Sequence, residues 1–475
     1  MKMFLRYMVI VAILSSYLVA VSDAEFEAMK KKMTKLEKEV AATKKLANGD
    51  NLKWSVDFRT AVDKLEYTMA DENATKHKND SLLTNRLWLN MAYAPTDNIS
   101  FRARMSYLKA YGAEANNNQR GTGNDNFDWV SNEAVQGDNS MNLKQAFWLY
   151  RNDTFLGSDI SWTASIGRRP ATDGLLANFR EDANRQSALA HAVNVGYDGA
   201  SFRWNLDKVT PLTGAWIKLC LGRGVTNAVG RFAQNGADYA KDDTLHLNSN
   251  MAGVIAVPYD DGQYSIHMMY AKANNLIGYD VNGTGQMRQA DGTYGAIPAF
   301  TDHGGMSWMT GAIKVEGIGN EITDFLDDTT FFISFAQSKS DPDETFHMLG
   351  SDEEQTGQST WVGLIMPDIF SDDGKFGFEW NKGSEYWRSM TYGEDTMIGS
   401  KIAARGTAIE AYYFKPLTKA LSMNLRYTKI EYDYSGSNGF FGNASAPQEI
   451  KSTMQNAGGT VAEATDLRAY LRYRF

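Results

Sequence analysis

The residues that could do chemistry in this chain are its arginines. In segments where apolar and polar residues alternate, Arg59, Arg86, Arg102, Arg104, Arg426, Arg468, Arg472 and Arg474 fall on the polar face, joined by Lys53, Lys144, Arg203, Lys218 and Lys314. The same faces carry only Asp57, Glu316, Glu379 and Glu410 in opposition. Gly167-Arg168-Arg169-Pro170, followed by Asp173-Gly174, adds Arg168 and Arg169 at a strand end. That pair reads either as a constriction where an inward loop begins or as a girdle of charge at headgroup level. A guanidinium meets carboxylate or phosphate through a fixed fork of N–H donors, and a confined wall of one charge sign sets ion preference. Two readings of the wall stand together: the arginines line an aqueous channel that favours anions, or they pair with carboxylates of loops folded into the lumen. The chain as a whole has a formal charge of −9, and much of its acidity sits in runs such as Asp341-Pro342-Asp343-Glu344 and Asp352-Glu353-Glu354.

Other chemistry finds little support. The six histidines, His77, His191, His246, His267, His303 and His347, show no paired metal-ligand spacing. There is no Gly-x-Ser-x-Gly elbow, and Gly222-Arg223-Gly224 lacks the rest of a dinucleotide fingerprint. The acidic runs match no EF-hand loop. Cys220 is the single cysteine, which excludes an internal disulfide, c-type haem attachment and a cysteine-rich metal site. The reading is a non-enzyme without catalytic residues, metal or cofactor. With 48 basic against 57 acidic residues, nucleic acid is not an expected partner.

The elements that would position these arginines are strands. In Asp466 to Phe475, the residues Leu467, Ala469, Leu471, Tyr473 and Phe475 share one face and Arg468, Arg472 and Arg474 the other, since successive strand side chains point to opposite sides. Ile99, Phe101, Ala103, Met105 and Tyr107 likewise oppose Ser100, Arg102, Arg104 and Ser106. About seventeen such segments run from Leu52 to Phe475, one of them at 191 to 197. Short connections interleave with long polar ones at 110 to 141, 272 to 306, 339 to 358 and 433 to 465, as outer-membrane barrels require. An even total keeps both chain ends on one side, so one segment between Ala190 and Leu221 is spurious or one in 222 to 250 is missed. The fold class is therefore all-β, a transmembrane antiparallel β-barrel of about 16 strands, with 18 as the alternative. The stretch from Asn178 to Ala192 is expected as a short helix packed in a loop.

Ahead of the barrel, residues 1–24 read as a signal peptide: Lys2 and Arg6 precede an apolar run that closes on Ser22 and Ala24. Phe26, Met29, Met33, Leu36, Val40 and Thr43 then recur at three- and four-residue spacing, an a/d seam that makes residues 25–49 a periplasmic coiled-coil helix. It serves either as a trimer stalk or as a helix on its own barrel. Residues 50–475 form the barrel.

With the coiled-coil lead, the stretch from Asn85-Arg86-Leu87 to Gly112, the Gly167-Arg168-Arg169-Pro170-x-x-Asp-Gly segment and the terminal Phe475, the chain resembles an uncharacterised family of Gram-negative outer-membrane porin-like proteins, a domain-of-unknown-function family. The resemblance implies that the closing aromatics Tyr473 and Phe475 form the membrane-insertion signal read by barrel-insertion machinery. It carries no catalytic or ligand residues. The combined expectation is a porin-like channel in the cell outer membrane, passive or weakly selective for small polar or anionic solutes, among membrane lipids and suited to a homotrimer. The alternative is a structural barrel that sheathes or anchors a partner protein.

Overall fold

A strand that crosses a membrane inverts the pattern of a soluble one, and the start of the strand Tyr264–Asn274 shows that inversion. Tyr264, Ile266, Met268 and Tyr270 are exposed, while Ser265 and His267 are buried between them. The computed structural model describes residues 52–475 apart from 112–140, 170–173, 184–186, 227–247, 280–284, 289–293, 298–299, 320–321, 344–346, 372, 392–394, 438, 443–444 and 451–459. The signal peptide and the coiled coil lie outside the described residues.

Among the described residues, sixteen strands close into one antiparallel barrel in chain order. They are β1 Lys53–Met69, β2 Lys76–Tyr93, β3 Ile99–Ala110, β4 Asn142–Asn152, β5 Trp162–Arg169, β6 Tyr197–Asn205, β7 Trp216–Thr226, β8 Asn248–Asp260, β9 Tyr264–Asn274, β10 Gly304–Glu316, β11 Thr330–Pro342, β12 Thr356–Pro367, β13 Lys375–Gly383, β14 Gly406–Pro416, β15 Leu421–Tyr432 and β16 Val461–Arg474. Closure comes from β16, which pairs with β15 on one side and with β1 on the other, from Asp57↔Arg474 to Met69↔Val461. No edge is left, and hydrocarbon tolerates none, because each unpaired backbone group there costs several kcal/mol. The first two strands run beyond the segments legible by alternation, since the tip of β2 from Lys76 to Ser81 is polar and exposed on both faces.

The outward faces carry the large apolar side chains, among them Phe101, Trp148, Ile313, Phe335, Leu467 and Leu471. The inward faces meet the protein's own connections. The β5–β6 connection carries a short parallel pairing of Gly174 with Ser187 and Leu175 with Leu189. It also carries a single 3-10 turn at Phe179–Glu181, in place of the helix expected over 178 to 192. Its end, from Ala190 to Val195, joins the β13–β14 connection: Asn194 N donates to Met390 O, and Met390 N donates to Ala192 O, both at 2.7 Å. The segment at 191 to 197 is thus the spurious strand of the seventeen up to Gly196. Its Ala192 and Val195 are buried within the loop, together with the polar His191 and Asn194, and β6 begins only at Tyr197.

These loops pack an apolar cluster against one side of the wall. Leu176, Ala190, Trp387 and Ile402 from the loops meet Met269, Trp308, Phe332, Trp361 and Tyr412 from β9 to β14. Glycine makes room for the rings: a Cβ on Gly363 would overlap the Phe332 ring, and one on Gly377 would overlap that of Tyr412. From the β15–β16 connection, Phe440 and Phe441 join the same cluster, where Phe441 N donates to Ile277 O at 3.0 Å.

Candidate functional site: a charge-paired interior

Alternation along β1, β2, β15 and β16 aims Arg59, Arg86, Arg426, Arg468 and Arg472 inward, and all five are buried. Two loop carboxylates meet them. Asp395, from the β13–β14 connection, accepts from Arg59, from Arg86 Nη1 at 2.9 Å and from Arg468 Nη1 at 3.3 Å. Glu181, from the β5–β6 connection, accepts from Arg426 Nη1 at 3.1 Å, Arg472 Nη1 at 3.2 Å and the Tyr470 hydroxyl at 3.0 Å.

The wall supplies further partners. Arg472 forks onto Asp57, its Nε and Nη2 donating at 2.9 and 2.5 Å, while Arg468 donates to Asp63 and lies 4.0 Å from Asp466. The loops return cations of their own. Arg180 Nη1 donates to Glu410 at 3.3 Å, and Lys401 joins Glu410 to Glu379, the latter at 2.7 Å. The set comprises Arg59, Arg86, Arg180, Lys401, Arg426, Arg468 and Arg472 against Asp57, Asp63, Glu181, Glu379, Asp395, Glu410 and Asp466, all buried. Seven basic side chains thus face seven carboxyl groups in this part of the interior.

The loop carboxylates are ionised. Burial opposes the charge on Asp395, but the guanidiniums of Arg59, Arg86 and Arg468 hold its carboxyl well below the ordinary range. At Glu181, burial and the neighbouring Asp395 oppose ionisation, and Arg59, Arg426 and Arg86 outweigh them. His191 is docked differently. Its ring nitrogens contact Ser334 Oγ at 2.8 Å and Ser359 Oγ at 2.9 Å, its edge packs on Trp361 and Trp387, and burial lowers its pKa to about 3.

The other arginines singled out by sequence sit elsewhere. Arg102 faces inward from β3 and is exposed, so solvent reaches the wall there. Arg104 and Arg86 lie over the Trp88 ring, 4.0 and 3.7 Å from its centroid. Arg169 lies 4.2 Å over Phe147, with Nη1 donating to Ser165 Oγ at 2.9 Å. Arg168 alternates with the exposed Ile166 onto the outward side of β5 and pairs with Asp198 at 3.4 Å. Arg474, half-buried at the rim, donates to Asp182 O at 2.9 Å. Tyr473 and Phe475 point outward and are exposed.

Sequence reasoning missed Glu181, Asp395, Arg180 and Lys401, the loop half of the network. Their one signal is a charge set among small and apolar neighbours, as in Phe179-Arg180-Glu181 and Asp395-Thr396-Met397-Ile398. Among the described residues, no group of His, Cys, Asp or Glu is arranged to hold a metal ion.

Fold and site together define a closed, sixteen-stranded antiparallel barrel whose own loops fold inward and neutralise part of its wall. The chain belongs to the family described as Protein of unknown function (DUF3373), whose model matches residues 76–475. No curated protein matches it. Among solved structures, it is similar to OprB of Pseudomonas putida in a high-pH structure, with 12% identity, 91% of this chain and 96% of that one covered, and a TM-score of 0.47. It is also similar to the anion-selective porin from Comamonas acidovorans (10% identity, 89% and 100% covered, TM-score 0.46). A third is the trimer form of OmpT, an outer membrane protein of Vibrio cholerae (11% identity, 90% and 99% covered, TM-score 0.44).

Proposed function

We propose that this protein is an outer-membrane channel for small polar solutes, narrowed by its own loops. The observation that carries the reading is the division of the interior. Beside β9 to β16 the lumen is occupied by the β5–β6, β13–β14 and β15–β16 connections, partly apolar and partly ion-paired. Across from it, the inward faces of β3 to β7 carry Arg102, Arg169, Arg203 and Lys218 among serine, threonine and glycine, and solvent reaches Arg102. A wall of this kind suits a hydrated path. The outward apolar band and the complete ladder support a bilayer setting. The alternative, a sheath around a partner protein, needs the room that these loops take up.

Purified full-length protein in a planar bilayer should give ohmic single-channel steps in potassium chloride, smaller than an unobstructed sixteen-stranded bore would pass. A folded, inserted barrel that stays silent would sink the proposal. Excision of Gly174 to Val195 should raise the step size, because that segment fills part of the bore.

A further inference from the structure

The tip of the first hairpin carries a motif for which the channel has no use. β1 and β2, at 17 and 18 residues, outrun the roughly ten that a tilted strand needs to cross a bilayer. β1 starts beside the terminal Phe475, so its far end and the turn from Ala70 to Thr75 stand at the opposite rim. There the chain reads Asp71-Glu72-Asn73-Ala74-Thr75. Glu72, Asn73, Ala74 and Thr75 are exposed, and so is the strand that follows from Lys76 to Ser81. Asn-x-Thr, with x other than proline, is the acceptor triplet for N-linked oligosaccharide. Bacterial oligosaccharyltransferases also select an acid two residues ahead of the asparagine, where a cationic side chain of the enzyme pairs with it. Asp71 supplies that acid. The triplets at Asn79, Asn98 and Asn152 have His77, Thr96 and Tyr150 in its place, and the one at Asn443 has Phe441. Asn282 does follow Asp280 at this spacing, but both lie outside the described residues.

We infer that Asn73 is an N-glycosylation site that takes its oligosaccharide from a polyprenyl-diphosphate carrier. In the transfer, the side-chain nitrogen of Asn73 bonds to the anomeric carbon of the first sugar. The bond from that carbon to the diphosphate oxygen breaks, polyprenyl diphosphate leaves, and the amide gives up one proton. The folded turn sets the order of events. Asp71 Oδ1 accepts from Thr75 N at 2.8 Å, Asp71 O accepts from Ala74 N at 3.0 Å, and Met69 N donates to Thr75 O at 2.8 Å. Ala74 lies in the left-handed region at φ 47°. These bonds fold the acid back onto the threonine, whereas an enzyme that reads acid, amide and hydroxyl in series needs the segment extended. Transfer therefore precedes closure of the hairpin. Once closed, the exposed tip holds a bulky, solubilising sugar in water. The inference rests on the outer-membrane reading and is independent of conduction.

The test is mass spectrometry of the tryptic peptide from Leu65 to Lys76, taken from protein purified out of native outer membranes. A form of that peptide that yields sugar fragment ions and carries its added mass on Asn73 supports the site, and Asn73→Gln should abolish it. Asp71→Asn keeps an oxygen that accepts from Thr75 N but removes the charge, so it should lose the modification. Asp71→Glu should retain it. All three variants should still fold, as judged by the heat-dependent gel mobility of a closed barrel, because the tip lies outside the ion-paired interior. Only bare peptide in the parent protein overturns the site and leaves the outer-membrane and channel readings standing. Absence of the protein from that membrane overturns the outer-membrane reading and the site with it.

Discussion

At the scale of single residues, the interior is held by partners that lie far apart in the chain. Arg59 and Asp395 are 336 positions apart, yet their side chains are buried and paired in two places. Removing one member of a buried ion pair leaves the other charged without compensation and typically costs about 3–5 kcal/mol. Asp395 answers three guanidiniums, so Asp395→Asn should destabilise the folded barrel by about that amount, read as a lower urea midpoint of refolded protein. Lys382 and Asp433 form a close pair at the surface, each about half exposed. Lys382→Gln should leave the midpoint unchanged within error, because water and salt already screen that pair. Equal destabilisation by both substitutions would mean that burial does not set the cost of breaking these pairs. The inward arginines were legible from a two-residue period, because that period is local. Glu181 and Asp395 were not, since a loop has no period to report which way a side chain points.

At the scale of elements, the inward connections are the part of the molecule that strand patterning misreads. Ala190 to Val195 resembles a strand because burial against the wall selects the same small and apolar residues that a sheet does. The ladder settles the matter, since its backbone pairs with Met390 and with no barrel strand. His191 docks this segment on β11 and β12 through Ser334 and Ser359, with Asn381 of β13 beside it, and these partners are uncharged. Lys401 and Glu379, which both contact the Trp361 side chain, are paired with each other. Burial lowers the histidine from its ordinary 6.5 to about 3 when docked. Between these values the undocked state binds the extra proton, so docking weakens as pH falls, by about 1.4 kcal/mol per unit. Asp395 and Glu181 act in a different window. Their carboxyls are depressed in the folded state, so the stability they contribute persists at neutral pH and is lost only as pH falls through those lowered values. Hydrogen exchange of peptides covering 187 to 195, corrected for intrinsic rates, should therefore lose protection from pH 6.5 downward. His191→Gln should abolish that dependence, and an unchanged profile in the variant would refute docking through His191 as its source.

At the scale of the whole molecule, closure rests on one strand with two jobs. The last strand completes the ladder, and its final residue does so with its backbone alone: Phe475 N donates to Val56 O at 2.9 Å, and Val56 N donates to Phe475 O at 2.8 Å. Phe475 as a residue is 81% exposed. The short and long connections make a closed, even-stranded barrel legible in the sequence, because topology in a membrane has few solutions. What they leave open, the filling of the bore, depends on loops whose packing follows no repeat. The two roles of the terminus separate by experiment. Phe475→Ala keeps both backbone bonds and removes only exposed ring area, so barrel refolded in detergent should keep its urea midpoint within about 0.5 kcal/mol, as surface substitutions usually do. If the ring serves as an address read during insertion, the same variant should be depleted several-fold from outer-membrane fractions while its refolded stability is intact. Deletion of Phe475 removes the two closing bonds as well and should lower both. Normal membrane delivery of Phe475→Ala would remove the terminal ring from the insertion signal and leave it a purely structural end.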